Sequence, residues 1–137
     1  MKKADLEIHY RSVPHFQTHI AVSARLKGIR SSKEEINEKL KAYSGKRWTS
    51  QPAAPSAGCI FKNPGPMPAG KLIDELGLKN LSVGPARVSE VHGNFIVNDG
   101  GATADDVLQL IALIQGRARE SRQIDLHTEV IVLGEEN

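Results

Sequence analysis

The chain has 137 residues, of which 39% are hydrophobic and 25% are charged, and these values are typical of one soluble globular domain. The 18 Lys and Arg against 16 Asp and Glu leave a net charge of +2. Because sequence-independent binding to nucleic acid needs clustered positive charge, no nucleic-acid partner is predicted. The single cysteine excludes an internal disulfide, and no apolar segment follows the first residues, so we expect a cytoplasmic protein without a membrane partner.

Two strands and a helix are predicted in the first third of the chain. The segments LEIHYRS and THIAVSARLKG read as strands, the second because polar and apolar residues alternate along it. The segment SSKEEINEKLKAYSG predicts a helix that begins at a serine cap and ends at Gly45. The apolar stripe of this helix would consist of Ile36, Leu40 and Tyr43.

A proline-rich loop is predicted from Trp48 to Pro68. Its five prolines exclude any long regular element but leave room for one short strand. Loops of this length are uncommon in small domains unless they have a function. The loop contains Cys59, directly after Gly58. A thiol with a pKa of about 8.5 can act as a proton donor, but a lone cysteine is also often a small buried hydrophobe, and both interpretations stay open.

Short strands and two helices are predicted in the second half of the chain. PAGKLIDELG predicts a helix that ends at Gly77, and LSVGPARVSEVHGNFIVN predicts short strands, most clearly NFIVN. TADDVLQLIALIQGRARESR predicts the longest amphipathic helix, capped by Thr103, and EVIVLG predicts a closing strand. Because strands and helices do not alternate regularly, we predict an α+β fold, with a small mixed sheet packed against about three helices.

Two patterns that suggest a ligand are better explained by structure. His15 and His19 are four residues apart, but Pro14 favours extended chain there and no further ligand completes a set, so no metal site is predicted. NDGGATADD resembles a phosphate loop before a helix, but Asp105 and Asp106 would repel a phosphate. We interpret that segment as a turn and helix cap.

Several blocks, in order along the chain, resemble the UDP-N-acetylenolpyruvoylglucosamine reductase (UDP-N-acetylmuramate dehydrogenase) family. The blocks are YRS, KRWTSQP, PSAGCIFKNP, AGKLIDELGLKNLSVGPARVSEVHGNFIVN, GATADDVLQLI and EVIVLGEE. The resemblance implies a C-terminal substrate-binding domain without most of the FAD-binding region. It places the last strands of the FAD-binding domain at 1–28, a linker helix at 29–48 and the UDP-sugar-binding domain at 49–137.

The resemblance also implies an activity. The family reduces UDP-N-acetylglucosamine enolpyruvate to UDP-N-acetylmuramate for peptidoglycan synthesis, using FAD and NADPH. Because the cofactor supplies the hydride chemistry, this chain alone is expected to bind neither cofactor and to be inactive without an FAD-binding domain or a separate flavin-binding chain. Two alternatives stay open, namely a non-catalytic UDP-sugar-binding module and a module that self-associates as a homo-oligomer.

The resemblance assigns roles to seven residues. Cys59 stands where the family usually has a proton-donating serine, and this departure is chemically tolerable because a thiol is the stronger acid. Arg11 matches the catalytic arginine, which would face the substrate carboxylate and stabilise the enolate that forms when hydride adds. Glu129 matches the late catalytic glutamate, which would orient or polarise that intermediate. The implied substrate contacts are Tyr10, Asn63, Lys79 and His92. Ordinary turn, helix-end or loop roles remain open for Asn63, Lys79 and His92.

Overall fold

The computed structural model of this chain describes residues 1–134. The chain divides into two compact units, Met1–Leu40 and Lys41–Asn137. None of the helices within the described residues is both long enough and apolar enough to span a membrane.

The first unit contains little regular structure before its helix. Two 3-10 turns, Lys3–Asp5 and Pro14–Gln17, are separated by one isolated bridge between His9 and Ser12. Residues 18–32 belong to no helix or strand, so the prediction of two strands before Gly28 was wrong. Alternation stabilises a strand only when a neighbouring strand supplies hydrogen bonds and covers the apolar face. The apolar side chains of the second predicted strand are highly exposed, as for Ile20, Val22 and Leu26.

The first helix, α1, spans Lys33–Ser50. Ser32 forms a capping box with Glu35: the Glu35 N–H donates to the Ser32 hydroxyl at 3.1 Å, and the Ser32 N–H donates to the Glu35 carboxylate at 3.4 Å. The Ser31 hydroxyl also donates to that carboxylate. The predicted serine cap is therefore confirmed.

The helix α1 does not end at Gly45 as predicted, but continues to Ser50. A glycine inside a helix costs only about 1 kcal/mol relative to alanine, whereas a proline strongly disfavours helical backbone at the residue before it. Pro52 therefore explains the end of α1 better than Gly45 does. The predicted apolar stripe is exposed along its length, by 46%, 60% and 69% at Ile36, Leu40 and Tyr43.

Four short strands form one sheet in the second unit. They are β1 (Ser56–Cys59), β2 (Ser82–Val83), β3 (Ala86–Val88) and β4 (Phe95–Asn98), in the order β1-β4-β3-β2. Every pairing is antiparallel, where a mixed sheet was expected. Short connections link β2, β3 and β4, and such connections join antiparallel neighbours, whereas parallel neighbours need a long crossover.

Two further helices cover the sheet region, α2 (Ala69–Glu75) and α3 (Ala104–Arg122). The predicted stop after α2 is confirmed, because Gly77 has a φ of +67°. The predicted cap of α3 is also confirmed. The Asp106 N–H donates to the Thr103 hydroxyl at 3.1 Å, and the Thr103 N–H donates to the Asp106 carboxylate at 2.8 Å.

The predicted closing strand EVIVLG does not form within the described residues. One isolated bridge pairs Thr128 with Phe61, and residues 130–134 follow without strand structure, with Ile131 and Leu133 exposed by 83% and 89%. An apolar sequence becomes a strand only where a neighbouring backbone continues beside it, and here the pairing stops after one residue pair.

The hydrophobic core lies in the second unit and joins the sheet, α2 and α3. This arrangement confirms the α+β class. The fully buried side chains with the largest volumes are Phe61, Ile60, Leu72, Ile73, Leu110, Ile114, Val88 and Val97.

Candidate functional site

Cys59 is the last residue of β1 and is half-buried. The register of β1 on β4 shifts just before it: Ser56 lies opposite Val97 and Cys59 opposite Phe95, so β1 contains one extra residue. Gly58 has a φ of +84°, a conformation that favours glycine. Bulges of this kind redirect a side chain at the end of a ladder and are frequent beside active sites. The bulge that Gly58 allows therefore determines the backbone conformation just before the thiol.

The segment that carries Glu129 lies beside the residues that follow Cys59. The Glu129 N–H donates to the Ile60 carbonyl at 2.7 Å, and the Lys62 N–H donates to the His127 carbonyl at 2.8 Å. Two predicted catalytic residues that are 70 positions apart in sequence are thus carried on directly bonded segments.

Asn63 ties the loop after Cys59 to helix α2. Its Oδ1 accepts a hydrogen bond from the Ala69 N–H at 3.0 Å. Ala69 is the first residue of α2, and such an N–H has no partner within its own helix. The Asn63 oxygen therefore caps the start of α2, and this bond fixes the position of α2 relative to the loop.

Lys79 and His92 line one cavity of about 250 Å³. The Lys79 ammonium lies 2.9 Å from the Asp74 carboxylate, and its side chain is 29% exposed. The cavity therefore carries a partly sheltered cation that is paired with one carboxylate. Its other lining residues are Pro68, Gly70, Lys71, Asp74, Val91 and Gly93.

The ring of His92 is held by three neighbours. Its Nδ1 accepts a hydrogen bond from the Asn94 N–H at 3.1 Å, its Cε1 lies where a side chain at Gly70 would stand, and its ring meets Phe95 edge to face at 4.9 Å. Burial lowers the pKa of His92, and the charge of Lys79 lowers it further. The ring is therefore neutral at neutral pH, with its proton on Nε2 because Nδ1 is an acceptor.

The remaining predicted site residues, Tyr10 and Arg11, lie in the first unit. The guanidinium carbon of Arg11 lies 5.7 Å from the centre of the Tyr10 ring, at a distance typical of cation–π contacts. Arg11 has a φ of +56°, a left-handed backbone that is uncommon for residues other than glycine. The other five predicted site residues lie in the second unit.

Two buried polar residues beside the site were not predicted. Ser89 is 2% exposed, and its hydroxyl accepts from the N–H groups of Val91 and His92 at 3.1 and 3.3 Å. This turn presents His92 to the cavity. Asn94 is 4% exposed and contacts the segment after Cys59. Nothing in the sequence distinguishes either residue from an ordinary loop residue, because their partners are defined only by the fold.

Within residues 1–134, a metal ion and a phosphate were considered at the positions that the sequence suggested. No group of three or more His, Cys, Asp and Glu side chains there could hold a metal ion. A flavin diphosphate is commonly bound by the exposed N–H groups of a helix N-terminus. At the glycine-containing turn before α3, Asp106 already accepts from Thr103, and its carboxylate would repel a phosphate.

Comparison with known proteins gives the family. Residues 51–133 match the family described as UDP-N-acetylenolpyruvoylglucosamine reductase, C-terminal domain. The chain belongs to this family, as the sequence blocks predicted. A protein of Bacillus licheniformis named UDP-N-acetylenolpyruvoylglucosamine reductase is 50% identical over 117 residues, which is 85% of this chain and 64% of that protein.

Other relatives carry the same name. One from Clostridium botulinum (strain 657 / Type Ba4) is 42% identical over 139 residues, covering 100% of this chain and 45% of the relative. The crystal structure of the reductase MurB from Thermus caldophilus superimposes with a TM-score of 0.62 at 47% identity, covering 74% of this chain and 36% of that one. This chain thus spans less than two thirds of the length of the relatives it matches.

Proposed function

We propose that this chain is the substrate-binding portion of a UDP-N-acetylenolpyruvoylglucosamine reductase. Its substrate is UDP-N-acetylglucosamine enolpyruvate, and its role is in cytoplasmic peptidoglycan synthesis. The observation that carries the proposal is the hydrogen bond from the Glu129 N–H to the Ile60 carbonyl, directly after Cys59. It supports a site in which a thiol and a carboxylate act on the same substrate.

Cys59 is the proton donor in this proposal. Reduction of the enolpyruvyl double bond adds one hydride to one carbon and one proton to the other. The Cys59 Sγ–H bond supplies that proton to the carbon that does not receive the hydride, and the thiolate then recovers a proton from water. Glu129 orients the reacting group, and Arg11 binds the substrate carboxylate.

The cavity at Lys79 and His92 is the proposed site for the UDP-sugar diphosphate. Two lysines, Lys71 and Lys79, line this cavity against the single carboxylate of Asp74. Neutral His92 adds an Nε2–H donor, and this balance of charge suits phosphate oxygens. Its volume of about 250 Å³ is sufficient for a diphosphate but not for the whole nucleotide sugar, which would extend along the surface. Asn63 and Tyr10 complete the proposed contacts.

The hydride is assigned to cofactors bound outside the residues described here. In the complete enzyme FAD and NADPH supply it, and residues 1–134 offer no fitting phosphate site at α3. In this proposal the chain works with an FAD-binding domain, either in a longer protein or on a separate chain, and it is inactive alone. In this proposal residues 1–28 are the last part of the FAD-binding domain, residues 29–48 are the linker, and residues 49–137 form the domain that binds the UDP-sugar.

Complementation tests this proposal. The chain is mixed with a purified FAD-binding domain of a related reductase, and NADPH oxidation is followed with and without UDP-N-acetylglucosamine enolpyruvate. We expect substrate-dependent oxidation that Cys59→Ser retains and Cys59→Ala loses by at least about a hundredfold. Substrate binding by calorimetry without any gain in oxidation, unchanged in Cys59→Ala, would instead favour a non-catalytic UDP-sugar-binding module.

A self-associating module is the second candidate, and one observation favours it. Several apolar side chains of the first unit are at least 90% exposed: Ile20, Val22, Leu26 and Ile29. Apolar surface of this kind commonly marks a contact with another protein or with a second copy. Sedimentation of the chain as a dimer, abolished when Val22 and Leu26 are both changed to Ser, would support a homo-oligomer. A monomer at all concentrations would exclude it.

A further inference from the structure

Asn94 uses all of its hydrogen-bonding groups between two neighbouring segments. Its side-chain Oδ1 accepts from the Phe61 N–H at 2.9 Å, and its Nδ2 donates to the Phe61 carbonyl at 2.8 Å. Its backbone carbonyl accepts from the Ile60 N–H at 2.9 Å, and its backbone N–H donates to His92 Nδ1 at 3.1 Å. The residue is 4% exposed, so water does not replace these bonds.

The side chain of Asn94 supplies Phe61 with the two hydrogen bonds that a residue of a neighbouring strand would otherwise supply. The ladder between β1 and β4 ends at the pair Cys59 and Phe95, so Phe61 lies beyond it. Phe61 is 1% exposed, and a buried backbone N–H or C=O without a partner is strongly unfavourable. A primary amide offers the same acceptor and donor as a peptide group. Aspartate has the acceptor but lacks the donor, and alanine lacks both.

We infer that Asn94 is a positioning residue that holds the Cys59–Asn63 segment in register with the turn that carries His92. The inference rests on the proposed function, because it deepens the assignment of Cys59 and His92 to one site. Asn94 touches both sides, through Phe61 on one and His92 on the other. It therefore couples the position of the proton donor to the cavity that would hold the diphosphate.

Three variants of the full chain test this inference. Asn94→Ala removes both side-chain bonds, and Asn94→Asp keeps the acceptor but places a second oxygen against the Phe61 carbonyl. Asn98→Ala is the matched control, because Asn98 also bonds two backbone N–H groups, those of Gly100 and Ala102, in a turn after β4. The readouts are the rate of Cys59 alkylation by a maleimide, the melting temperature and UDP-N-acetylglucosamine affinity.

A positioning role predicts a change at the thiol. We expect Cys59 in Asn94→Ala to alkylate about tenfold faster than in the wild type, because two bonds that hold its segment are lost, while Asn98→Ala alkylates at the wild-type rate. For Asn94→Asp, the ratio of its alkylation rate to the wild-type rate should fall toward one as the pH is lowered. The reason is that a protonated carboxyl can again donate to the Phe61 carbonyl. A merely structural role would lower the melting temperature without this pH-dependent rescue.

Different results would contradict the positioning role of Asn94 and the proposed function of the chain. Wild-type alkylation kinetics in both Asn94 variants would overturn the positioning role, even if the chain binds the UDP-sugar. The expected alkylation kinetics in a chain that binds no UDP-sugar would overturn the proposed function and leave the positioning of Cys59 standing. If the variants do not fold, hydrogen exchange of the wild-type chain decides. The Phe61 amide should be as protected as that of Ile96 in β4, and rapid exchange at Phe61 would contradict the inference.

Discussion

At the scale of single residues, Gly93 and Gly70 allow the turn before β4 to lie against helix α2. A Cβ added at Gly93 would lie 2.6 Å from the Gly70 carbonyl oxygen, and one at Gly70 would lie 2.8 Å from the His92 ring. Both distances are shorter than atoms tolerate. The two glycines therefore set the depth of the cavity that His92 lines.

Gly93→Ala should destabilise the protein by about 1–3 kcal/mol, because the clash is with backbone that cannot move aside. Urea unfolding followed by circular dichroism measures this change. Gly116→Ala is the matched substitution inside α3, where a Cβ meets nothing within 4 Å. It should be neutral or stabilise by about 0.5–1 kcal/mol. Equal effects at the two positions would contradict the close approach of the turn to α2.

The pKa of His92 gives a pH dependence with a defined sign. Because its pKa in the folded state is lowered below the ordinary 6.5, the unfolded chain binds more protons between the two values. The free energy of unfolding should therefore fall as the pH is lowered through 6.5 toward the folded-state pKa. Above 6.5 this contribution is fully present.

Unfolding by urea between about pH 7.5 and about pH 5 tests this dependence. His92→Gln removes the titrating group, so the slope of stability against pH should be shallower than in the wild type. His127→Gln, at an exposed histidine, should retain the wild-type slope. A wild-type slope in His92→Gln would mean that the ring is not held in its neutral form by burial.

At the scale of elements, the capping box of α3 defines where the longest helix begins. Thr103→Ala removes the hydroxyl that accepts from the Asp106 N–H and should cost about 1 kcal/mol of stability. Thr49→Ala serves as the control, because the Thr49 hydroxyl donates to the Lys46 carbonyl within α1 and caps no N-terminus. It should change stability by less than about 0.5 kcal/mol. A thermal melt of each variant distinguishes these outcomes.

Elements with local signals were predictable from the sequence. The starts of α1 and α3 depend on a capping residue and its partner three positions later, and the end of α2 depends on Gly77. The failed strands depend on a partner that the sequence does not identify. Residues 18–28 and 130–134 have strand-like composition but pair with no strand in the described structure.

The candidate site was predictable only in part. The block around Cys59 and Asn63 could be recognised by resemblance, whereas Asn94 acts on Phe61, which lies 33 positions earlier. Contacts of this separation follow from the register of β1 on β4 and from the bulge at Gly58. Neither feature is visible in a single sequence, because hydrophobic patterning fixes which face is buried but not which residues pair.

At the scale of the whole molecule, the core and five of the seven predicted site residues belong to the second unit. The family match over residues 51–133 covers the same part of the chain. Residues 1–50 contribute no buried side chain. The second unit is therefore expected to retain measurable binding of the sugar nucleotide without the proposed contacts of Arg11 and Tyr10.

The most direct test is an amide-resolved NMR titration of the ¹⁵N-labelled chain with UDP-N-acetylglucosamine enolpyruvate. We predict saturable chemical-shift changes at the amides of the five proposed site residues in the second unit, namely Cys59, Asn63, Lys79, His92 and Glu129. Gly116, in the helix α3, provides an internal reference that should not shift. Unchanged spectra at a large excess of ligand, or shifts confined to residues outside this set, would contradict the assignment of these side chains to one substrate site.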